Sequence, residues 1–142
     1  MNRSRLRKQL IADEGNIPHA YQDSEDYWTI GVGHLVDERM GAGLDPDVIE
    51  LQLDNDIDRK EREVLDAFPW YQDLNDVRQE IVLNMAFNLG LTRFKGFRMT
   101  IDAISRHDFL TASQEMLDSK WAGQVGSRAL RLSEAMRTGE WT

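Results

Sequence analysis

The feature that most constrains this fold is a dense apolar run from Ile81 to Leu91, which two asparagines and a glycine interrupt. The run is far shorter than the ~20 apolar residues that a helix needs to cross a bilayer. Asn75 or Asp76 is a suitable helix cap before the run, and Gly90 is a suitable stop. The intervening helix would be apolar on nearly all sides, which predicts a buried central helix in a globular protein.

Length and composition predict a single folded domain covering residues 1–142. The chain is 41% hydrophobic and 30% charged, which is typical of a soluble globular protein, and its 142 residues can bury a sizeable core. It contains no cysteine, which excludes disulfides, thiolate metal ligands and a thiol nucleophile. We expect no cofactor and no metal.

The charge pattern argues against a nucleic-acid partner. The chain has 17 basic and 25 acidic residues and a formal net charge of −8, so its surface repels phosphate backbones. A basic cluster at residues 3–8 and an acidic stretch at 37–76 are interpreted as solvated helix faces. Asp54, Asp56 and Asp58 alternate as in a calcium loop, but the glycine and glutamate that such a loop requires are missing.

The front part of the sequence combines one helix with strand-forming residues. A first helix is expected to end at Gly15. From Ile17 to Leu35 the residues favour strands, and a turn-forming cluster surrounds Asp23. This pattern predicts a small antiparallel sheet.

The rest of the chain predicts helices. Asp45-Pro46 is a helix start, and a long charged helix over 46–66 is expected to connect two lobes. Helices are also expected over 99–106, 109–118 and 128–137. The sequence therefore predicts an α+β fold with an N-terminal lobe at 14–58 and a C-terminal helical lobe at 67–142, which helix 1–13 joins.

Three side chains in the front part could carry chemistry. Glu14 ends the first helix, Asp23 follows nine residues later, and Thr29 lies six beyond that. Glycosidases pair a carboxylic acid that protonates the leaving oxygen with a carboxylate on the other side of the sugar. The spacing alone is a weak signal, and it favours the plainer interpretation of Glu14 as a surface residue, Asp23 as a turn residue and Thr29 as a strand residue.

The order of these motifs resembles the T-even bacteriophage-type lysozymes. Their pattern of Glu-Gly, Tyr-x-Asp and Thr-Ile-Gly-x-Gly-His is found here at Glu14-Gly15, Tyr21-Gln22-Asp23 and Thr29–His34. Two later segments are also similar to the family: DVRQEIVLNMAFNLG resembles its central helix, and the tail from SKW to RTGEW resembles its C-terminal end. The resemblance covers nearly the whole chain.

The resemblance implies a lysozyme-like fold and hydrolysis of the β-1,4 bond between N-acetylmuramic acid and N-acetylglucosamine. It implies that Glu14 is the general acid, that Asp23 and Thr29 position water in an inverting reaction, and that Arg128 pairs with the acid. It also implies a structural pair between His34 and Asp56. Four positions are implied to line the glycan groove: Leu35, Phe87, Thr100 and Glu115.

The sequence departs from the family at several points. Asp26 stands where the family often has a glycine in the hairpin turn, and Glu115 stands where it commonly has an amide. The segment after His34 is shorter, which implies a smaller front lobe. The acidic charge balance is unlike that of familiar members, so activity is expected to depend on salt.

The implied partner is the peptidoglycan glycan strand, and we expect a monomer without stable membrane association. The sequence has no signal-peptide pattern. The expected location is the host cytoplasm, followed by release to the periplasm and wall through a separate membrane-permeabilising protein. Two alternatives stay open: a catalytically silent glycan-binding protein with this fold, and a lytic transglycosylase.

Overall fold

A computed structural model describes residues 1–14, 17–22, 28–31, 34–35 and 46–141 of the chain, with side chains for residues 1–13 and 51–141. The described elements, in chain order, are α1 (Arg3–Glu14), β1 (Ile17–Gln22), β2 (Trp28–Gly31), β3 (His34–Leu35), α2 (Pro46–Ala67), a 3-10 helix (Pro69–Asp73), α3 (Asp76–Leu89), α4 (Leu91–Lys95), α5 (Arg98–Ser105), α6 (Phe109–Leu117), α7 (Lys120–Val125) and α8 (Ser127–Thr138).

The three strands form one antiparallel sheet in the order β1-β2-β3. Thr29 of β2 lies opposite Tyr21 of β1 and Leu35 of β3. The register between β1 and β2 is irregular between Ile17 and Tyr21. Only the backbone of this sheet is described.

The predicted fold class, α+β with a small sheet, needs correction towards a helical lysozyme-like fold. Helix accounts for 84% of the residues with described side chains, and no strand lies among them. The described core is therefore built by helices alone. The sequence underestimated the share of helix, because α4 and α7, with 5 and 6 residues, are too short to show a helical period.

Contacts divide the chain into two compact units, Arg3–Arg59 and Lys60–Thr142 together with Met1–Asn2. The boundary falls inside α2, the helix that the sequence predicts as the connecting element. The division groups α1 with the first unit, whereas the sequence grouped it with the rear helices. The assignment of residues 1–142 to a single lysozyme-like domain stays a prediction.

The first unit is stabilised by apolar burial and by ion pairs between α1 and α2. The buried apolar residues of these two helices within the unit are Leu6, Leu10, Leu53 and Ile57. Arg7 Nη1 lies 3.0 Å from Asp54 Oδ2, and Arg3 pairs with Asp58. These four side chains are partly exposed, and they also form ion pairs, which the interpretation of the charge blocks as solvated helix faces did not include.

The second unit has α3 as its buried centre, as the apolar run predicted. Five residues of α3 are fully buried and apolar: Ile81, Val82, Leu83, Met85 and Ala86. Asn75 caps the helix, because its side chain accepts a hydrogen bond of 2.9 Å from the Arg78 backbone N–H. Gly90 ends it with a φ of +79°, a conformation that favours glycine. The predicted central helix is confirmed.

The longer predicted helices are also found. Those expected over 46–66, 99–106, 109–118 and 128–137 correspond to α2, α5, α6 and α8 with ends shifted by one residue. Across the described ranges, no helix combines the length and the apolar character needed to cross a bilayer.

Candidate functional site

The three predicted catalytic residues fall in the front part of the chain. Glu14 is the last residue of α1, and Thr29 lies within β2 between β1 and β3. Asp23 lies outside the described residues. Because the side chains of Glu14 and Thr29 are not described, the predicted convergence of all three groups stays a prediction.

The residue predicted to support the acid, Arg128, is described, and it contacts Asn84. Arg128 stands in the first turn of α8 with 8% of its surface exposed, and Asn84 of α3 is fully buried. The guanidinium donates two hydrogen bonds to Asn84 Oδ1, one from Nε at 3.0 Å and one from Nη2 at 2.7 Å. Since a buried charge is costly without partners, this amide oxygen helps to hold the cation in the protein interior.

Asn84 belongs to a polar stripe along α3, formed by Glu80, Asn84 and Asn88. The spacing of four residues places all three on one face of the helix. Glu80 Oε1 accepts from the Trp141 indole N–H at 3.2 Å, and Asn88 Oδ1 accepts from the Trp121 indole N–H at 2.8 Å. The stripe thus joins the C-terminal region to the central helix at three points.

Glu80 also anchors the start of the chain. It is fully buried, and its Oε2 accepts a hydrogen bond of 3.2 Å from the Asn2 backbone N–H. The Met1 ammonium donates to Asp76 Oδ1 at 2.5 Å and to Gln79 Oε1 at 2.8 Å. The first turn of α3 is therefore held from outside by the chain start as well as by Trp141.

The charge of Arg128 affects the pKa of any carboxylic acid that lies beside it. Asn84 supplies a neutral oxygen, so its two hydrogen bonds orient the guanidinium without cancelling its positive charge. A cation held in this way favours the ionised form of a neighbouring carboxylic acid and lowers the pKa of that acid. Sequence reasoning identified Arg128 but missed Asn84, although a polar residue inside an apolar helix was a usable signal.

The predicted groove residues lie on different elements. Phe87 of α3 and Glu115 of α6 are half-buried, while Thr100 of α5 is only 2% exposed. Thr100 therefore offers little surface to a ligand, whereas the other two present part of their side chains. Leu35 belongs to β3, and its side chain is not described. The glycan-binding roles of all four stay predictions.

No metal centre is apparent in the part of the chain with described residues, where no group of three or more His, Asp or Glu side chains could hold an ion. Asp54 and Asp58 of the alternating aspartates instead face arginines.

In the comparison with known families, the phage lysozyme family matches residues 12–136. The chain belongs to the phage lysozyme family.

Curated relatives are distant but cover the chain. The probable T4-type lysozymes 1 and 2 of Dictyostelium discoideum are 26% and 21% identical to it, each over 96% of this chain and 95% of the relative. The pre-baseplate central spike protein Gp5 of Enterobacteria phage T4 is 26% identical over 94% of this chain, but over only 28% of that longer protein.

Proposed function

We propose that this protein is a lysozyme that hydrolyses the β-1,4 bond between N-acetylmuramic acid and N-acetylglucosamine in peptidoglycan. The observation that carries the proposal is the family match over residues 12–136, which includes Glu14, Asp23 and Thr29 in the family's order. A silent glycan-binding protein would have no chemical need for all three groups. The intact set therefore favours an enzyme.

In the proposed mechanism, Glu14 acts as the general acid. Its carboxyl group protonates the glycosidic oxygen as the bond to the anomeric carbon breaks. Asp23 and Thr29 hold a water on the opposite face of the sugar, and Asp23 accepts the proton of that water as it attacks. The product would have inverted anomeric configuration. Inverting enzymes keep their two carboxyl groups about 6.5–9.5 Å apart to leave room for the water.

Arg128 acts through Glu14 in this proposal and is a positioning residue. Its charge would stabilise the ionised acid, whereas catalysis needs the protonated one. Desolvation by the bound glycan would raise the pKa of Glu14 again when substrate fills the site. Asn84 would fix the direction in which the guanidinium points.

The direct test compares the wild type with Glu14→Gln on purified peptidoglycan by release of reducing sugar ends. Glutamine keeps the size of the side chain but cannot donate the proton, so we expect activity to fall by about 100-fold or more. Glu61→Gln is the matched control, since it makes the same substitution at a residue outside the proposed catalytic set and should keep the activity of the wild type. Glu61 lies on α2 and accepts a hydrogen bond from the Tyr71 hydroxyl. A Glu14→Gln protein with full activity would refute the assigned acid.

The same proposal includes delivery to the wall. We infer that the protein collects as a monomer in the host cytoplasm and reaches peptidoglycan through a separate membrane-permeabilising protein. Cells that make this protein alone should then remain intact until their inner membrane is permeabilised. Lysis without any permeabilising treatment would contradict this part of the proposal.

A further inference from the structure

The segment 91–99, which joins α4 to α5 and is called the basic turn below, carries a cluster of positive side chains. Its cations are Arg93, Lys95 and Arg98, and all three are exposed. Residues 81–101 include no acid. Among the residues with described side chains, none forms an ion pair or a hydrogen bond with these three cations. The basic turn is therefore a locally cationic surface in a chain of net charge −8.

Backbone hydrogen bonds and a buried ring hold the basic turn in one shape. The Gly96 N–H donates to the Arg93 carbonyl at 3.0 Å, and the Phe97 N–H donates to the Phe94 carbonyl at 2.9 Å. Phe94 is fully buried, and its ring stacks on that of Phe97 with 6.4 Å between the centroids. Because the core anchors the backbone that carries the cations, little ordering of the chain is needed when a partner binds.

The first acid after the basic turn already has a partner of its own. Asp102 lies four residues after Arg98 on α5, and its Oδ2 accepts a hydrogen bond of 3.0 Å from Arg106 Nε. This ion pair adds no net charge to the surface of α5. At 0.1 M salt, exposed charges more than ~10 Å apart are largely screened from each other. Screening therefore limits the effect that the acidic excess of the chain has on the basic turn.

Exposed apolar surface lies directly beside the cations. Met99 follows Arg98 in the first turn of α5 with 66% of its surface exposed, and Phe97 is half-buried. A soluble polyanion such as DNA would bind the cations but would leave the methionine in water. The interface of a bilayer accepts cationic and apolar side chains together. Charge complementarity and the exposed methionine thus favour a bilayer with anionic headgroups as the partner.

We propose that the basic turn binds reversibly to the surface of a bilayer that contains anionic lipids. Its three cations contact the lipid phosphates, and Met99 enters the headgroup region. Three charges and one apolar side chain make a weaker anchor than a single myristoyl chain, so the association is not stable. The inference does not depend on the proposed hydrolysis. In the delivery that we propose above, such binding collects the protein at the membrane through which it leaves the cell.

The test is co-sedimentation of the full chain with vesicles of phosphatidylcholine alone or of phosphatidylcholine mixed with phosphatidylglycerol. We expect saturable binding to the anionic vesicles only, and its loss at 1 M salt, where the Debye length falls to ~3 Å. Arg93→Gln, Lys95→Gln and Arg98→Gln should each lower the partition coefficient about fivefold, which corresponds to about 1 kcal/mol per charge near the surface. Met99→Gln should lower it about two- to fivefold, because less apolar surface leaves water.

Arg62→Gln and Leu130→Gln are the matched controls. Arg62 is an exposed cation of α2 in the same unit Lys60–Thr142, and Leu130 of α8 is 62% exposed. The first control removes the same unit of charge as Lys95→Gln, and the second removes apolar surface as Met99→Gln does. Both controls should bind the anionic vesicles like the wild type. An equal loss of binding in Arg62→Gln and Lys95→Gln would reveal an effect of net charge alone and would overturn the proposal.

Competition separates the bilayer from other anionic partners. Duplex DNA or inorganic phosphate is added to the anionic vesicles at the phosphate concentration of the lipid. We expect neither to displace the protein. Displacement by either competitor would assign the cations to a soluble anion and overturn the proposal, and so would a failure to bind anionic vesicles at all. The vesicles contain no peptidoglycan, so a protein that cleaves no glycan strand can still pass this test.

Discussion

The pair formed by Arg128 and Asn84 allows a quantitative prediction by double-mutant cycle. The single variants are Asn84→Leu, which keeps the side-chain size, and Arg128→Met, which keeps the aliphatic stem. Hydrogen bonds to a charged group contribute about 1.5–3 kcal/mol each. Because both hydrogen bonds end on the same oxygen atom, we expect the two together to contribute less than twice the free energy of one. The predicted coupling free energy is about 2–3 kcal/mol.

Urea unfolding of the four proteins measures this coupling. Asn84→Leu alone should destabilise by about 3 kcal/mol, since it leaves a buried guanidinium without this acceptor. With a slope of about 2 kcal/mol/M, the midpoint should fall by about 1–2 M urea. The cycle isolates the coupling free energy between Asn84 and Arg128, whatever other contacts Arg128 makes.

Ser133→Ala is the matched control for this cycle. Ser133 is also a buried polar residue of α8, but among the described residues its hydroxyl donates to the Leu130 carbonyl of the same helix, at 3.1 Å. It should cost less than ~1 kcal/mol and be additive with Arg128→Met. A coupling between Asn84 and Arg128 below about 0.5 kcal/mol would refute the reasoning.

Two further predictions concern backbone conformation and pH. Gly139 ends α8 with a φ of +78°, and an added Cβ would lie 3.1 Å from atoms of Arg78. Gly139→Ala should therefore lower the free energy of unfolding by about 1–2 kcal/mol, measured by thermal unfolding. Gly123→Ala is the control and should not destabilise the protein, because a Cβ at Gly123 would meet open space. Hydrogen bonds from Thr111 lower the pKa of Asp108 in the folded protein. The Asp108 carboxylate therefore stabilises the fold fully above its pKa in the unfolded chain, which is about 4. This stabilisation is lost as the pH falls through the lower pKa of the folded protein. The stability advantage of the wild type over Asp108→Asn should therefore shrink below pH ~4, and an advantage that grows with acid would contradict this.

The sequence predicted the long helices because each carries its own signal. The apolar run and the Asn75 cap located α3, and Pro46 located the start of α2. Patterns of this kind depend on residues within one or two helical turns, so they are readable without the fold. The short α4 and α7 contain fewer than two turns and gave no such pattern.

Hydrogen-bond partners could not be predicted, because they come from distant parts of the chain. Asn84 meets Arg128 across 44 residues, and Glu80 meets Trp141 across 61. The pairing of Arg7 with Asp54 spans 47 residues in the same way. Charge blocks and polar positions show which groups need partners, but only tertiary packing decides which partner each receives.

The candidate catalytic residues were identified by resemblance rather than by spacing. Glu14, Asp23 and Thr29 form a weak pattern by themselves, and only their match to a family motif gave them roles. A surface groove in the helical unit Lys60–Thr142, lined among others by Leu89, Arg93 and Trp121, had no motif at all, because its lining residues come from three helices and their connections.

The measurement that tests the central claim most directly is mass spectrometry of the fragments released from purified peptidoglycan. A lysozyme of the proposed kind adds water across the muramic acid linkage, so the new ends should be reducing N-acetylmuramic acid. Anhydro-muramic ends, reducing N-acetylglucosamine ends, or no fragments at all would contradict the account.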